Sequence, residues 1–337
     1  MIEDKGSIKE IDADELQQAD IFLCVQQEES APRYTWLALN MIAELARNKG
    51  KISDYQYYLP LVKLMIRVLD QNIYYHAAYF SGEKVYEEHS KDGLCENSLS
   101  TYKEEVTDVF RFVTDTNATL DTEGQRLIEA RARYLLDTVG KEGPKGYSFQ
   151  NCGVLLALCL VRIGGPNLVG ELEKKIRHHF EEREGVPAFL ESVLNKLFNK
   201  ENENKLVGWL LSYARHMLSP YWQEGSMVCS QFVANCFSHA DDKATYRIEK
   251  PTRPIKTDRI DHQCTSQTHN SENVSIEDEQ AALETLDQNL LSLMMPPLAN
   301  DATDWDEIAR KVNLDDMYTP ADFALSPNTR YMGRLKL

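Results

Sequence analysis

The chain has 337 residues, 42% of them hydrophobic and 27% charged, and a formal net charge of −16 at pH 7. This is the balance of an ordinary folded protein with a sizeable core, and its acidity argues against a broad nucleic-acid or anionic-membrane surface. The acidic opening "MIEDKGSIKEIDADELQQAD" lacks the apolar stretch of a Sec signal peptide, and no apolar run nears the roughly 18 residues of a membrane span. Seven irregularly spaced cysteines with no Cys-x-x-Cys pair argue against a disulfide framework and a zinc ribbon, and for a reducing compartment.

In chain order, "ADIFLCV" (19–25) predicts a strand from its run of Ile, Phe and Val. "TWLALNMIAELARNKG" (35–50) repeats apolar residues at helical spacing and stops at Gly50. "YYLPLVKLMIRVLDQ" (57–71) predicts a second helix with Pro60 in its first turn. "YYHAAYFSGEKVYEEHS" (74–90) holds two β-type runs around "SGEK" and predicts a hairpin, and "EVTDVFRFV" (105–113) a third strand of the same sheet. Residues 123–139 and 152–218 are helical in pattern; "CGVLLALCLVRIGG" (152–165) reads as a buried helix, and "GELEKKIRHHFEEREGVPAFLESVLNKLF" (170–198) carries a solvated charged face.

"GSMVCSQFVANCF" (225–237) starts a helix near Val228, with Phe232, Val233, Cys236 and Phe237 at helical spacing. The polar stretch 241–280 predicts a flexible loop, in which His262, Cys264 and His269 lack the frame of a metal site. "AALETLDQNLLSLM" (281–294) is helix-like, and "LLSLMMPPLAN" (290–300) offers a Met-rich apolar lid or simple packing. Strands near the front and many helices predict an α+β fold with a small antiparallel sheet.

Cys229 is the thiol best placed for chemistry. A helix N-terminus beside an imidazole lowers a thiol pKa, although most cysteines are simply buried and inert. Among the histidines, His178, His179 and His216 fall on charged or amphipathic helices, and His239 lies ten residues beyond Cys229, about 15 Å along a helix. His76 opens a strand followed by the small Ala77 and Ala78. A two-residue turn at Gly82-Glu83 sets Phe80 opposite Val85, Ala78 opposite Glu87 and His76 opposite His89. Glu87 then shares the face of His76, one diagonal step away, and Glu88 points to the other side. A one-residue bulge exchanges the two glutamates, so both stay open here. The plain alternative is a core cysteine and a strand histidine satisfied by backbone.

"YYHAAYFSGEKVYEEHSKDGLCENSLSTYKEEVTDVFRF" (74–112) resembles the His half of circularly permuted NlpC-like papain-fold proteins, a group that includes lecithin:retinol acyltransferase-like enzymes. "ADIFLCV" is similar to the family's opening strand, with Ala19 in place of its usual Gly, and "GYSF" (146–149) to the step before its Cys helix. "MVCSQFVANCF" resembles that helix, and "MYTPADFALSPNTRYMGRL" (317–335) the closing segment. The pieces cover about a third of the chain, in the family's order of His before Cys.

The resemblance implies one catalytic domain over 1–337, with a permuted papain-like core in pieces 15–25, 71–151, 223–238 and 316–337. Helical insertions fall at 26–70 and 153–222, and the gap from "GYSF" to Cys229 is long for the family. It implies a cysteine hydrolase or acyltransferase needing no cofactor or metal: Cys229 the nucleophile, His76 the base, Glu87 its orienting acid, and the Cys229 N–H an oxyanion donor. Tyr75 and Tyr79 line a pocket or pack, Glu88 is the alternative acid, and Asp20 supports the site or a turn. Substrates span peptide, protein and lipid amides, esters and thioesters, with a protein partner on the helical insertions, in the cytoplasm or after non-Sec export into a host. A lipid-active enzyme and a silent protein-binding scaffold are the rivals. The scaffold predicts Cys229 and His76 too far apart for proton transfer; complete burial of Cys229 counts against either enzyme.

Overall fold

The computed structural model describes residues 8–26, 31–47, 55–70, 72–89, 93–142, 148–163, 168–181, 227–251 and 317–337, with a few positions between 191 and 198. Seven strands, β1 (Glu10–Asp12), β2 (Asp20–Val25), β3 (Tyr74–Phe80), β4 (Lys84–His89), β5 (Gly93–Ser98), β6 (Thr107–Phe112) and β7 (Thr329–Lys336), form one sheet. Its order is β1-β7-β6-β2-β3-β4-β5. All neighbours are antiparallel except β1 and β7, which run parallel. The α+β class stands, and the expected small antiparallel sheet is corrected to a seven-stranded mixed one.

β2 lies at the centre of this sheet between β3 and β6, and all six of its residues are buried. Burial on both faces explains why it reads as an unbroken apolar run rather than an alternation. Ile21, Leu23 and Val25 join one core and Phe22 and Cys24 the other, on opposite faces of the sheet. The hairpin has the register the sequence predicts: Tyr79 pairs with Tyr86 and Phe80 with Val85. Ser81 N–H donates to the Lys84 carbonyl at 2.8 Å across the turn, and Gly82 takes a φ of +99°, a region that favours glycine.

Helices α1 (Ala31–Arg47), α2 (Leu59–Asp70), α3 (Thr122–Glu142), α4 (Ser148–Ile163), α5 (Leu168–Glu181), α6 (Cys229–Ser238) and α7 (Pro320–Leu325) complete the described structure. A 3-10 turn, Tyr55–Tyr58, precedes α2, so the expected helix begins at Leu59. α6 packs Phe232, Val233, Cys236 and Phe237 on the sheet face that carries Ile21, Ala77 and Tyr79. α2, α4 and α5 build a third core from Leu64, Ile66, Leu155, Leu158, Leu172 and Ile176, and this core also takes in Val228 and Cys229. The expected boundary between core and insertion near 151–153 falls inside α4.

The segment 241–251, the first part of the expected flexible loop, is held in place. Ile248 is fully buried and its carbonyl accepts the Tyr318 hydroxyl at 2.7 Å. The rest of that loop with His262, Cys264 and His269, the helix at 281–294, the lid at 290–300 and His216 lie outside the described residues. No helix among the described residues is long and apolar enough to cross a membrane.

Candidate active site

β2 and β3 pair in regular register from Asp20 opposite Phe80 to Cys24 opposite His76, and then Val25 pairs with Tyr74. Tyr75 is therefore the extra residue of a β-bulge, a device that re-aims side chains. It sets the Tyr75 and His76 rings side by side, 6.5 Å between centroids. His76 Nε2 lies 2.6 Å from Glu87 Oε2. Glu87 is held in turn by the Tyr102 hydroxyl, which donates to Oε2 at 2.7 Å, and by Asn97 Nδ2, which donates to Oε1 at 2.8 Å. Three donors fix one carboxylate, so the imidazole it holds has one orientation.

Cys229 lies near enough to His76 for its charge to act on the imidazole. Glu87 occupies Nε2, so Nδ1 is the ring nitrogen that this bond leaves over. Cys229 is the first residue of α6, with Val228 as its extended N-cap and no side chain capping the helix. The Phe232 N–H to Val228 carbonyl bond, 2.8 Å, is that of a regular first turn. The amide groups of a helix's first turn and the helix dipole favour negative charge at such a position. Ser230 Oγ donates to the Tyr318 carbonyl at 2.5 Å, tying the helix start to the closing segment. That segment is fixed by Asp322, which accepts from the Thr319 N–H and from Arg162 of α4, both at 2.7 Å.

Electrostatics follow this geometry. Burial disfavours the His76 imidazolium, but the nearby charge of Cys229 and then the hydrogen bond and charge of Glu87 outweigh it and raise the His76 pKa well above its ordinary value. Burial likewise pushes Glu87 upward, and its bonds to His76, Tyr102 and Asn97 more than reverse this, so its pKa is lowered. An imidazolium against the sulfur favours thiolate over thiol. The His76 side chain is 15% exposed, whereas Cys229 is only 1% exposed.

The hairpin register decides between the two glutamates: Glu87 orients His76, and Glu88 points the other way. Tyr75 flanks the histidine, with its hydroxyl donating to Glu105 at 3.0 Å and the Lys63 ammonium 3.4 Å from its ring centroid. Tyr79 and Asp20 lie away from the site. Tyr79 is fully buried, stacks on Tyr86 and donates to Glu129 Oε2 at 3.0 Å. Asp20 pairs with Phe80, four residues or about 13 Å along β3 from His76. It accepts from Arg111 at 2.7 and 2.8 Å and from the Gln17 N–H at 2.8 Å. Asp20 is thus a turn and core anchor, one of the two roles open to it from sequence.

Tyr102 and Asn97 are the partners that sequence reading missed. Both follow the hairpin, on the 3-10 turn Leu99–Glu104 and on β5, and nothing in local pattern ties them to Glu87. No group of three or more His, Cys, Asp or Glu side chains among the described residues is arranged to hold a metal ion. Comparison of the chain with family models, with curated proteins and with solved structures gave no match.

Proposed function

We propose that this protein is a cysteine hydrolase or acyltransferase, built on a circularly permuted papain-like core and acting through Cys229, His76 and Glu87. The observation that carries the reading is the chain of hydrogen bonds from Tyr102 and Asn97 through Glu87 to His76, an imidazole on which the charge of Cys229, at a helix start, acts. In the reaction, His76 holds the thiol proton and the Cys229 sulfur attacks a substrate carbonyl carbon. The carbonyl oxygen takes negative charge, which the amides at the start of α6 stabilise. As the tetrahedral carbon collapses, its bond to the leaving group breaks and His76 gives its proton to that group, leaving a thioester on Cys229. Water or another acceptor gives a proton to His76, attacks the thioester and returns the sulfur to the thiolate. Glu87 keeps the ring aligned through both halves.

The burial of Cys229, at 1% exposure, favours a second reading, a papain-like scaffold that binds partners without turnover. A panel of activated acyl thioesters and p-nitrophenyl esters separates the two. The enzyme reading expects an acyl adduct on Cys229, labile to hydroxylamine and missing in Cys229→Ala. The scaffold reading expects none.

A further inference from the structure

Glu87 carries two donors on one oxygen. His76 Nε2 lies 2.6 Å from Oε2, and the Tyr102 hydroxyl donates to the same atom at 2.7 Å, while Asn97 takes Oε1. Tyr102 reaches that oxygen from packing that does not involve the acid. It is 5% exposed, meets the Phe22 ring edge-on at 5.5 Å between centroids, and lies in the core of Phe80, Val85 and Val109. Its 3-10 turn is closed by the Glu105 N–H, which donates to the Tyr102 carbonyl at 3.1 Å. The same turn leads into the Glu105 carboxylate that accepts the hydroxyl of Tyr75, whose ring lies beside His76.

A carboxylate buried without donors is a stronger base than one in water, and it competes for the proton of any cation held against it. Glu87 is 3% exposed, so its hydrogen bonds set the outcome of that competition. Each donor on a carboxylate oxygen draws charge from it and weakens its pull on the next. Resting on the proposal above, we infer that Tyr102 is a positioning residue of the reaction: by sharing Oε2 it keeps the proton on His76 Nε2, so that the imidazolium can protonate the leaving group. With that proton drawn across to Glu87, the ring is a neutral imidazole and a poorer acid toward the leaving group. Burial pushes the Glu87 carboxyl up, and its bonds to His76, Tyr102 and Asn97, with the His76 charge, bring it down to about 2. Burial first, then Cys24 and Glu87, push the Tyr102 phenol well above its ordinary range, so it remains a donor.

The test times acyl transfer to Cys229, in the full chain, from p-nitrophenyl acetate, whose leaving group departs as the anion, and from trifluoroethyl acetate, whose leaving group needs a proton. In Tyr102→Phe the first rate should change less than about twofold and the second should fall about tenfold. Tyr86→Phe, which loses a like bond to Glu129, should change neither. A second measurement needs no turnover. The nitrogen NMR shift of His76 Nε2 reports how far its proton is drawn off. It should move toward the unprotonated range in Tyr102→Phe, and away from it when 3-fluorotyrosine, a stronger donor of nearly the same shape, replaces Tyr102; this arm removes no contact. Equal changes in the two ester rates in Tyr102→Phe, or a shift that neither replacement moves, overturns the role of Tyr102 while leaving the thiol chemistry standing. Failure of both esters to acylate Cys229 in the unaltered protein overturns the proposed function itself, and this inference with it.

Discussion

The two ends of β3 are made of the same kinds of residue and behave differently. At the hairpin end the acids have their counterparts: buried Asp20 is gripped by two Arg111 nitrogens, and half-buried Glu129 receives the hydroxyls of Tyr79 and Tyr86. At the other end, Glu87 is fully bonded but serves a histidine that faces a thiol, and Glu88 beside it is bonded to nothing described. Satisfied polar groups lock a fold, whereas acid–base groups set against one another mark a site. The difference lies in the partners, which arrive from distant parts of the chain.

The largest effects should fall at the site end. Cys229→Ala removes the nucleophile outright, and His76→Ala should slow acyl transfer to a thioester substrate by about 10²–10⁴-fold, as measured by single-turnover kinetics. Both variants should keep the wild-type circular dichroism. At the hairpin end the expectation reverses. Arg111→Ala leaves Asp20 buried without its cation and should cost about 3–5 kcal/mol in denaturant unfolding, with no change in the reactivity of Cys229 per folded molecule. If Arg111→Ala slowed Cys229 as much as His76→Ala does, the two ends would not be separable.

Glu87→Gln sharpens the contrast within the site. Loss of its charge should lower the His76 pKa, and the acidic limb of the Cys229 labelling profile should move toward higher pH. Glu88→Gln acts through pH on stability. Burial raises the folded pKa of Glu88 to about 8, above its ordinary 4.5, so the protonated acid's contribution is fully present below 4.5 and is lost as pH rises through 8. The variant should flatten that decline by about 1–3 kcal/mol between pH 5 and 8.5 in denaturant titrations. The smallest effect expected is Tyr79→Phe, about 1 kcal/mol of stability and no kinetic change, since Glu129 keeps the Tyr86 hydroxyl.

Much of the site was legible because it depends on short-range rules. Gly82 fixes the hairpin turn, the turn fixes the register, and the register separates Glu87 from Glu88. The helix start at Cys229 follows from the apolar spacing behind it. What stayed hidden depends on distant pairing. β1 is three residues, "EID", and gains its identity only beside β7. β7 is interrupted by Gly333, where an added Cβ would meet the Glu10 backbone at 3.0 Å, and its charges mask any alternation. β5, "GLCENS", carries one large apolar residue, yet it brings Asn97 to Glu87. The bulge at Tyr75 was equally invisible, because it is a mismatch between β2 and β3 rather than a property of either.

The most direct test of the central claim is the rate of Cys229 alkylation by iodoacetamide from pH 4 to 10, in the native protein and in His76→Ala. A thiolate held by an imidazolium predicts labelling that persists well below the ordinary thiol range of about 8.5, with the profile shifted upward in pH in the variant. Labelling that rises only near pH 8.5 in both proteins would contradict the account and leave Cys229 an ordinary buried thiol.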